Sequence, residues 1–111
     1  MGDQRGVIPA GRFEGLVEQY RRWLTIERRL SAGRVKAYVR EARRFLGEWG
    51  GQDLKILALD EVTSYVVQGC RRRRCQSARD LVTGLRSLLR YLYLEGITDC
   101  QLAPAVPTPA G

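Results

Sequence analysis

The chain has 111 residues, the length of one domain, and its 44% hydrophobic and 28% charged residues are typical of a soluble globular protein. Nineteen Lys and Arg against twelve Asp and Glu give a net charge of +7, which favours a polyanionic partner such as nucleic acid. The absence of His excludes Ser-His-Asp and Cys-His triads and His-ligated metal sites within the chain. No apolar run approaches the roughly 20 residues of a membrane span.

The first helix is predicted to follow a short irregular segment. Residues 1–12 mix Gly, Pro and polar side chains without a period, which predicts a flexible N-terminal arm. The apolar residues that come next recur at helical spacing and make one stripe: Phe13, Leu16, Val17, Tyr20, Trp23 and Leu24. We expect this helix to end near Arg29, because basic side chains suit the negative end of a helix dipole.

A second helix is predicted to begin at Ser31, a residue type that accepts hydrogen bonds from the free amides of a helix start. Its apolar stripe runs through two heptads: Val35, Tyr38, Val39, Ala42, Phe45, Leu46 and Trp49. Gly50 and Gly51 end the pattern, since the left-handed conformation after a helix favours glycine. Residues 53–59 alternate too briefly to predict a strand, and we interpret them as a connector whose leucines fill the core.

Two further helices complete the pattern. Asp60 is expected to cap a short third helix that runs out near Gly69, and Ser77 is expected to cap the fourth. The fourth helix has the most regular stripe in the chain and ends at Gly96; the stripe comprises Ala78, Leu81, Val82, Leu85, Leu88, Leu89 and Leu92. We therefore predict an all-α fold, a compact four-helix domain over residues 13–100.

The C-terminal segment and the cysteines predict little chemistry of their own. Residues 101–111 are rich in Ala and Pro and are predicted to form a linker outside the core. Three Cys without a secretion signal indicate free thiols in a cytoplasmic setting rather than disulfides or a zinc site. Because no phosphate-binding Gly-rich loop is present either, the chain by itself is expected to be non-catalytic, with no metal and no cofactor.

The basic residues form two ribbons opposite the apolar stripes. On the second helix Lys36, Arg40 and Arg43 follow i, i+4, i+7 spacing, with Arg44 at the edge. On the fourth, i, i+4, i+7, i+11 spacing aligns Arg79, Thr83, Arg86 and Arg90. Neither ribbon contains a carboxylate, whereas an ordinary solvated helix face interleaves acids and bases. Arginine forks bind phosphate oxygens and guanine edges, so both ribbons are candidate DNA-binding faces.

Short hydroxyl donors and a basic run add to these faces. Thr83 and Ser77 are suited to phosphate or to the thymine methyl group. The run Arg71, Arg72, Arg73 and Arg74 is expected to lie in a solvated loop. Four adjacent arginines there would add auxiliary phosphate contacts that depend on salt but not on sequence.

Several segments resemble one protein family. Residues 20–46 resemble the opening of tyrosine recombinases and read YRRWLTIERRLSAGRVKAYVREARRFL. In that family a basic helix end and a Leu-Ser turn precede a helix with Val-x-x-Tyr and Phe-Leu elements. The matching residues here are Val35, Tyr38, Phe45 and Leu46. Residues 77–97 resemble the fourth helix of that family and read SARDLVTGLRSLLRYLYLEGI. The link between these two segments is also similar and reads DLKILALDEVTSYV. LAPAVPTP resembles the start of the family's interdomain linker.

The resemblance implies a SAM-like core-binding domain. With a C-terminal catalytic domain of the same parent chain, such a domain closes a C-shaped clamp on double-stranded DNA, beside other recombinase protomers in the synaptic complex. The second and fourth helices of the family face DNA, and they are the helices that carry the ribbons here. The family's catalytic arginines, His-x-x-Arg element and tyrosine nucleophile belong to the other domain, so no tyrosine of this chain is expected to be the nucleophile.

Three alternatives stay open. The ribbons could be a basic solvated surface without a partner. A helix-turn-helix repressor needs a tight turn between two helices, and the long segment from Gly50 to Leu59 argues against one there. A SAM-type protein-interaction domain would have an exposed apolar patch and no affinity for DNA.

Overall fold

The computed structural model describes residues 10–49 and 53–106, apart from the side chains of residues 10–13 and 75. The described residues form four α-helices and two short 3₁₀ helices, and the predicted all-α fold is confirmed. The α-helices are α1 (Ala10–Ile26), α2 (Ala32–Trp49), α3 (Leu59–Arg71) and α4 (Cys75–Leu94), and the 3₁₀ helices are Leu54–Ile56 and Ala103–Ala105.

The first helix begins and ends earlier than its periodicity indicates. Because α1 begins at Ala10, residues 10–12 are helical, which corrects the predicted arm, and residues 1–9 lie outside the described residues. The helix stops at Ile26 rather than near Arg29, which adopts a left-handed φ of 52°. The Leu30 amide then donates to the carbonyl of Leu24 at 3.1 Å, a bond typical of a left-handed helix end.

Of the three predicted caps, only that of α2 is confirmed. The Arg34 amide donates to Ser31 Oγ at 3.3 Å at the start of α2. Asp60 lies inside α3, and the helix start is closed instead by the Glu61 carboxylate, which accepts from the Ala58 amide at 2.9 Å. Ser77 is the third residue of α4, so it is not a cap.

The core has α4 at its centre. Apolar side chains from α4 pack against α2, α3 and the second 3₁₀ helix, while α1 packs on α2. Gly84 permits the close approach of α2 and α4, because a Cβ there would lie only 3.0 Å from the Cβ of Glu41. The connector prediction is confirmed for Leu54 and Leu57, which are buried in this core, and is wrong for Leu59, which begins α3 and is exposed.

The segment after α4 belongs to the core, contrary to the predicted linker. Gly96, at a φ of 74°, lets the chain turn back after the helix. Leu102 and Val106 are then buried, and Thr63 Oγ1 of α3 donates to the carbonyl of Ala105 at 3.4 Å. The segment folds back because its apolar side chains find space between α3 and α4. Residues 107–111 lie outside the described residues, and for them the linker stays a prediction.

The connection between α3 and α4 is shorter than the sequence indicates. α3 continues past Gly69 to Arg71, and α4 begins at Cys75, so three residues join the two helices. Such a turn is as short as that of a helix-turn-helix motif. The length of the connector between α2 and α3 therefore does not separate this fold from a helix-turn-helix module.

Candidate nucleic-acid interface

The exposed face of α4 is basic, and Asp80, the acid of this helix, is partly exposed on the side that approaches Arg40 of α2. Its predicted ribbon lies in solvent, opposite the buried Leu81, Leu85, Leu88 and Leu92; the ribbon residues are Arg79, Thr83, Arg86 and Arg90. The other exposed α4 side chains that the structure describes are uncharged: Gln76, Tyr93 and Leu94. No ion pair among the described residues involves Arg79 or Arg90. The positive charge of these two arginines is therefore available to an external anion.

The ribbon of α2 differs, because carboxylates from neighbouring helices reach it. Arg40 lies 3.9 Å from Asp80 of α4, and Arg43 forms an ion pair with Glu14 of α1. The ribbon itself contains no carboxylate, as predicted, but Asp80 and Glu14 approach it from α4 and α1. Exposed ion pairs of this kind are weak, so a phosphate can compete for either arginine, but only against an acid already in place.

The edge residue of the α2 ribbon, Arg44, lies 3.9 Å from Glu41. Its own side chain is half-exposed, whereas the Glu41 side chain is only 2% exposed. Lys36 is exposed, and no ion pair among the described residues involves it. Within the α2 ribbon, Lys36 therefore has the least competition for an external anion.

The arginine run does not act as four equivalent solvated residues. The Arg73 side chain is only 14% exposed, and its Nη1 donates to both carboxylate oxygens of Glu41, at 2.9 and 3.0 Å. The same Nη1 lies 3.4 Å from the carbonyl of Ser77. Arg73 thus joins α2 to the start of α4, and its guanidinium is less accessible to an external phosphate than those of its exposed neighbours. Arg71, Arg72 and Arg74 are exposed.

Ser77 is half-buried beneath this ion pair rather than displayed on the ribbon. Its carbonyl lies 3.4 Å from Arg73 Nη1, and Ser77 is the third residue of α4.

Arg28 lies beside the basic ribbon of α4, although the helical spacing of the basic residues does not predict it as a binding residue. It lies in the turn between α1 and α2, and it lines one groove together with Tyr38 of α2 and with Thr83, Arg86 and Arg90 of α4. Its guanidinium carbon lies 5.7 Å from the centre of the Trp23 ring, within the range of a cation–π contact. A helical period cannot assign a face to a turn residue, so no signal in the sequence points to this neighbourhood.

Two tyrosines near this surface, Tyr20 and Tyr91, are buried, whereas Tyr38 is half-buried and Tyr93 is exposed. Tyr20, Trp23 and Tyr91 form an aromatic cluster with ring centres 5.3 to 6.2 Å apart. Burial raises the pKa of Tyr20 well above its ordinary value, and burial also raises the pKa of Tyr91 and of Tyr65. Only 3% of Tyr91 is exposed. A raised pKa disfavours the phenolate, which is the reactive form of a tyrosine.

Residues 10–49 and 53–106 lack two other features, a metal-binding cluster and a membrane-spanning helix. Over that part of the chain, no cluster of three or more His, Cys, Asp or Glu could hold a metal ion. No helix there is long and apolar enough to cross a membrane.

Two curated relatives are similar to the chain. Tyrosine recombinase XerC of Rhizobium meliloti (strain 1021) is 36% identical over an alignment of 117 residues, which covers 93% of this chain and 36% of the relative. Tyrosine recombinase XerC of Mesorhizobium japonicum (strain LMG 29417 / CECT 9101 / MAFF 303099) is 34% identical over 118 residues, which covers 96% of this chain and 37% of the relative. The chain thus spans little more than a third of the length of these relatives.

No family model matches the chain, and no solved structure matches it. The two relatives share a name, and the alignments cover more than nine-tenths of this chain in both cases. Over the segment that it shares with them, the chain belongs to the tyrosine recombinase family.

Proposed function

We propose that this chain is the SAM-like core-binding domain of a site-specific tyrosine recombinase, and that it holds duplex DNA mainly through the exposed face of α4. The observation that carries the proposal is the outward ribbon of Arg79, Thr83, Arg86 and Arg90, which contains no carboxylate. Within it, Arg79 and Arg90 form no ion pair among the described residues. A helix with such a face fits the major groove, where guanidinium groups reach phosphates and guanine edges.

In this proposal α2 has a secondary role. Arg40 and Arg43 must leave Asp80 and Glu14 before they bind phosphate, so each contributes less than an arginine of α4. Lys36 has no such competitor among the described residues. Arg72 and Arg74 add contacts that are indifferent to sequence.

The proposed partners are double-stranded DNA, a catalytic domain of the same parent chain, and other recombinase protomers. The names of the relatives support a recombinase, and the chain matches little more than a third of each of them. We assign the strand cleavage to the part of the parent chain that lies outside this match. This chain is expected to form no covalent DNA adduct, which incubation with supercoiled DNA and denaturing electrophoresis would test.

Equilibrium binding to a labelled generic duplex tests the proposal. Anisotropy titrations from about 50 to about 200 mM salt should give a Kd of roughly 10⁻⁴ to 10⁻⁶ M at physiological salt. The logarithm of the binding constant should fall linearly with the logarithm of salt concentration, with a slope of about −0.9 per phosphate contacted. Absence of binding at the lowest salt, or binding indifferent to salt, would contradict the proposal.

A protein-interaction role is a second candidate, and one surface favours it. Leu59 and Val67 are 56% and 39% exposed, and they line one groove of α3 together with Thr63. An exposed apolar strip of this kind is a feature of protein-binding surfaces. Sedimentation at rising protein concentration tests this role. Self-association that a Val67→Lys substitution abolishes would support it, and a monomer at all concentrations would exclude self-association through this strip.

A further inference from the structure

The groove between the α1–α2 turn and α4 brings basic residues from two elements together. Arg28 comes from the turn, while Arg86 and Arg90 come from α4, and Thr83 and Tyr38 add hydroxyl groups to the same lining. No ion pair among the described residues involves Arg28 or Arg90. Positive charges that share a groove repel one another, and an anion bound between them offsets this electrostatic repulsion.

The main chain holds Arg28 in a defined position. Its amide donates to the carbonyl of Trp23 at 3.1 Å, and the next two residues complete the left-handed end of α1. The guanidinium lies over the Trp23 ring, which itself packs against Tyr91 of α4. A guanidinium that is already positioned loses little conformational entropy when it binds an anion.

We propose that this groove binds a single backbone phosphate of duplex DNA, held between Arg28 and Arg90 with the Thr83 hydroxyl as a further donor. The inference rests on the proposed function and adds the α1–α2 turn to the DNA-binding surface as a third element. Guanidinium groups that approach from two sides can each donate to different oxygens of one phosphate. The turn then fixes how deeply α4 enters the groove of the DNA, because a phosphate contact sets position rather than sequence.

A double-substitution cycle on the whole chain tests the shared phosphate. Arg28→Gln, Arg90→Gln and the double variant are titrated against the same labelled duplex at several salt concentrations. Arg22→Gln is the matched control, since Arg22 is exposed on α1, carries the same charge and does not line the groove. Unfolding curves recorded by circular dichroism show that each variant is folded. Arg28→Lys, which keeps the charge above Trp23, is expected to retain the parent's salt slope.

Each single variant should bind more weakly than the control and flatten the salt slope by about one unit. The double variant should lose much less than the product of the two single losses, because the two arginines bind the same phosphate. The proposal is overturned if Arg28→Gln binds as Arg22→Gln does, or if the losses multiply and the slope falls by about two units. If Arg90→Gln also binds like the control, the proposed DNA binding by α4 fails as well. The Arg90→Gln variant therefore distinguishes a failure of the shared phosphate site alone from a failure of the proposed function.

A second measurement uses inorganic phosphate as the probe. In nitrogen-15 NMR spectra of the parent chain, the Nε–H signals of Arg28 and Arg90 should shift together as phosphate is added, with one common affinity. Arg28→Gln should weaken the response at Arg90. Independent responses at the two residues would contradict a shared site.

Discussion

Substitution of Arg73 should destabilise the fold far more than substitution of either neighbouring arginine. Arg73 is 14% exposed and donates to both oxygens of a carboxylate that is 2% exposed. Removing one partner of a buried ion pair costs about 3–5 kcal/mol, because the other charge is left without compensation. We expect Arg73→Ala to lower the free energy of unfolding by about 3 kcal/mol, at the lower end of this range. Arg44 lies 3.9 Å from Glu41 and would compensate part of its charge.

The exposed neighbours provide the control. Arg72→Ala removes the same charge from the same turn, and it should change the free energy of unfolding by only about 0.5 kcal/mol or less. In urea, monitored by circular dichroism, Arg73→Ala should lower the midpoint by roughly 1–2 M, while Arg72→Ala should leave it almost unchanged.

A second substitution tests the cause of the loss. If the unpaired carboxylate destabilises the Arg73→Ala variant, then adding Glu41→Gln should restore part of its stability, because the neutral amide is cheaper to bury. Equal midpoints for Arg73→Ala and Arg72→Ala would refute the reasoning. So would a double variant less stable than Arg73→Ala alone.

Three further predictions concern the core. Gly47→Ala places a Cβ in a helix where nothing lies within 4 Å of it, and it should raise the free energy of unfolding by about 0.5–1 kcal/mol. In the same urea assay, Gly84→Ala should lower the free energy of unfolding by about 1–3 kcal/mol, because its Cβ would lie 3.0 Å from that of Glu41. Leu102→Ala should cost about 2–5 kcal/mol in thermal or urea unfolding if residues 102–106 belong to the core, and almost nothing if they form a linker. Because burial raises the pKa of Tyr20 in the folded state, the unfolded state loses the phenolic proton first, and stability should fall as pH rises above about 10. Tyr20→Phe should reduce that loss of stability in unfolding curves recorded from about pH 8 to about pH 11.

The periodicity of the apolar residues predicts the helices and their buried faces. A helix repeats every 3.6 residues whatever it packs against, so the stripe through Leu81, Leu85 and Leu92 indicates which side of α4 faces the core. The outward direction of Arg79 and Arg90 follows from the same geometry. The all-α fold and the exposed ribbon of α4 therefore follow from the sequence.

Contacts between elements could not be derived in this way. Nothing in the local sequence separates Arg73, which pairs with a carboxylate 32 residues away, from its exposed neighbours. The approach of Asp80 to Arg40 depends in the same manner on how α2 and α4 pack. The predicted cap at Ser77 is wrong because α4 already begins at Cys75, with Arg74 in the capping position.

The central claim is that the α4 ribbon binds duplex DNA, and the most direct test compares two double variants that lose the same charge. Arg79→Gln with Arg90→Gln removes two ribbon arginines, and Arg21→Gln with Arg22→Gln removes two exposed arginines of α1. The ribbon variant should bind a labelled duplex markedly more weakly than the α1 variant, with a salt slope flatter than the parent's by about two units. If both variants are folded and bind the duplex equally well, the positive charge acts only through its total, and the ribbon of α4 is not the interface.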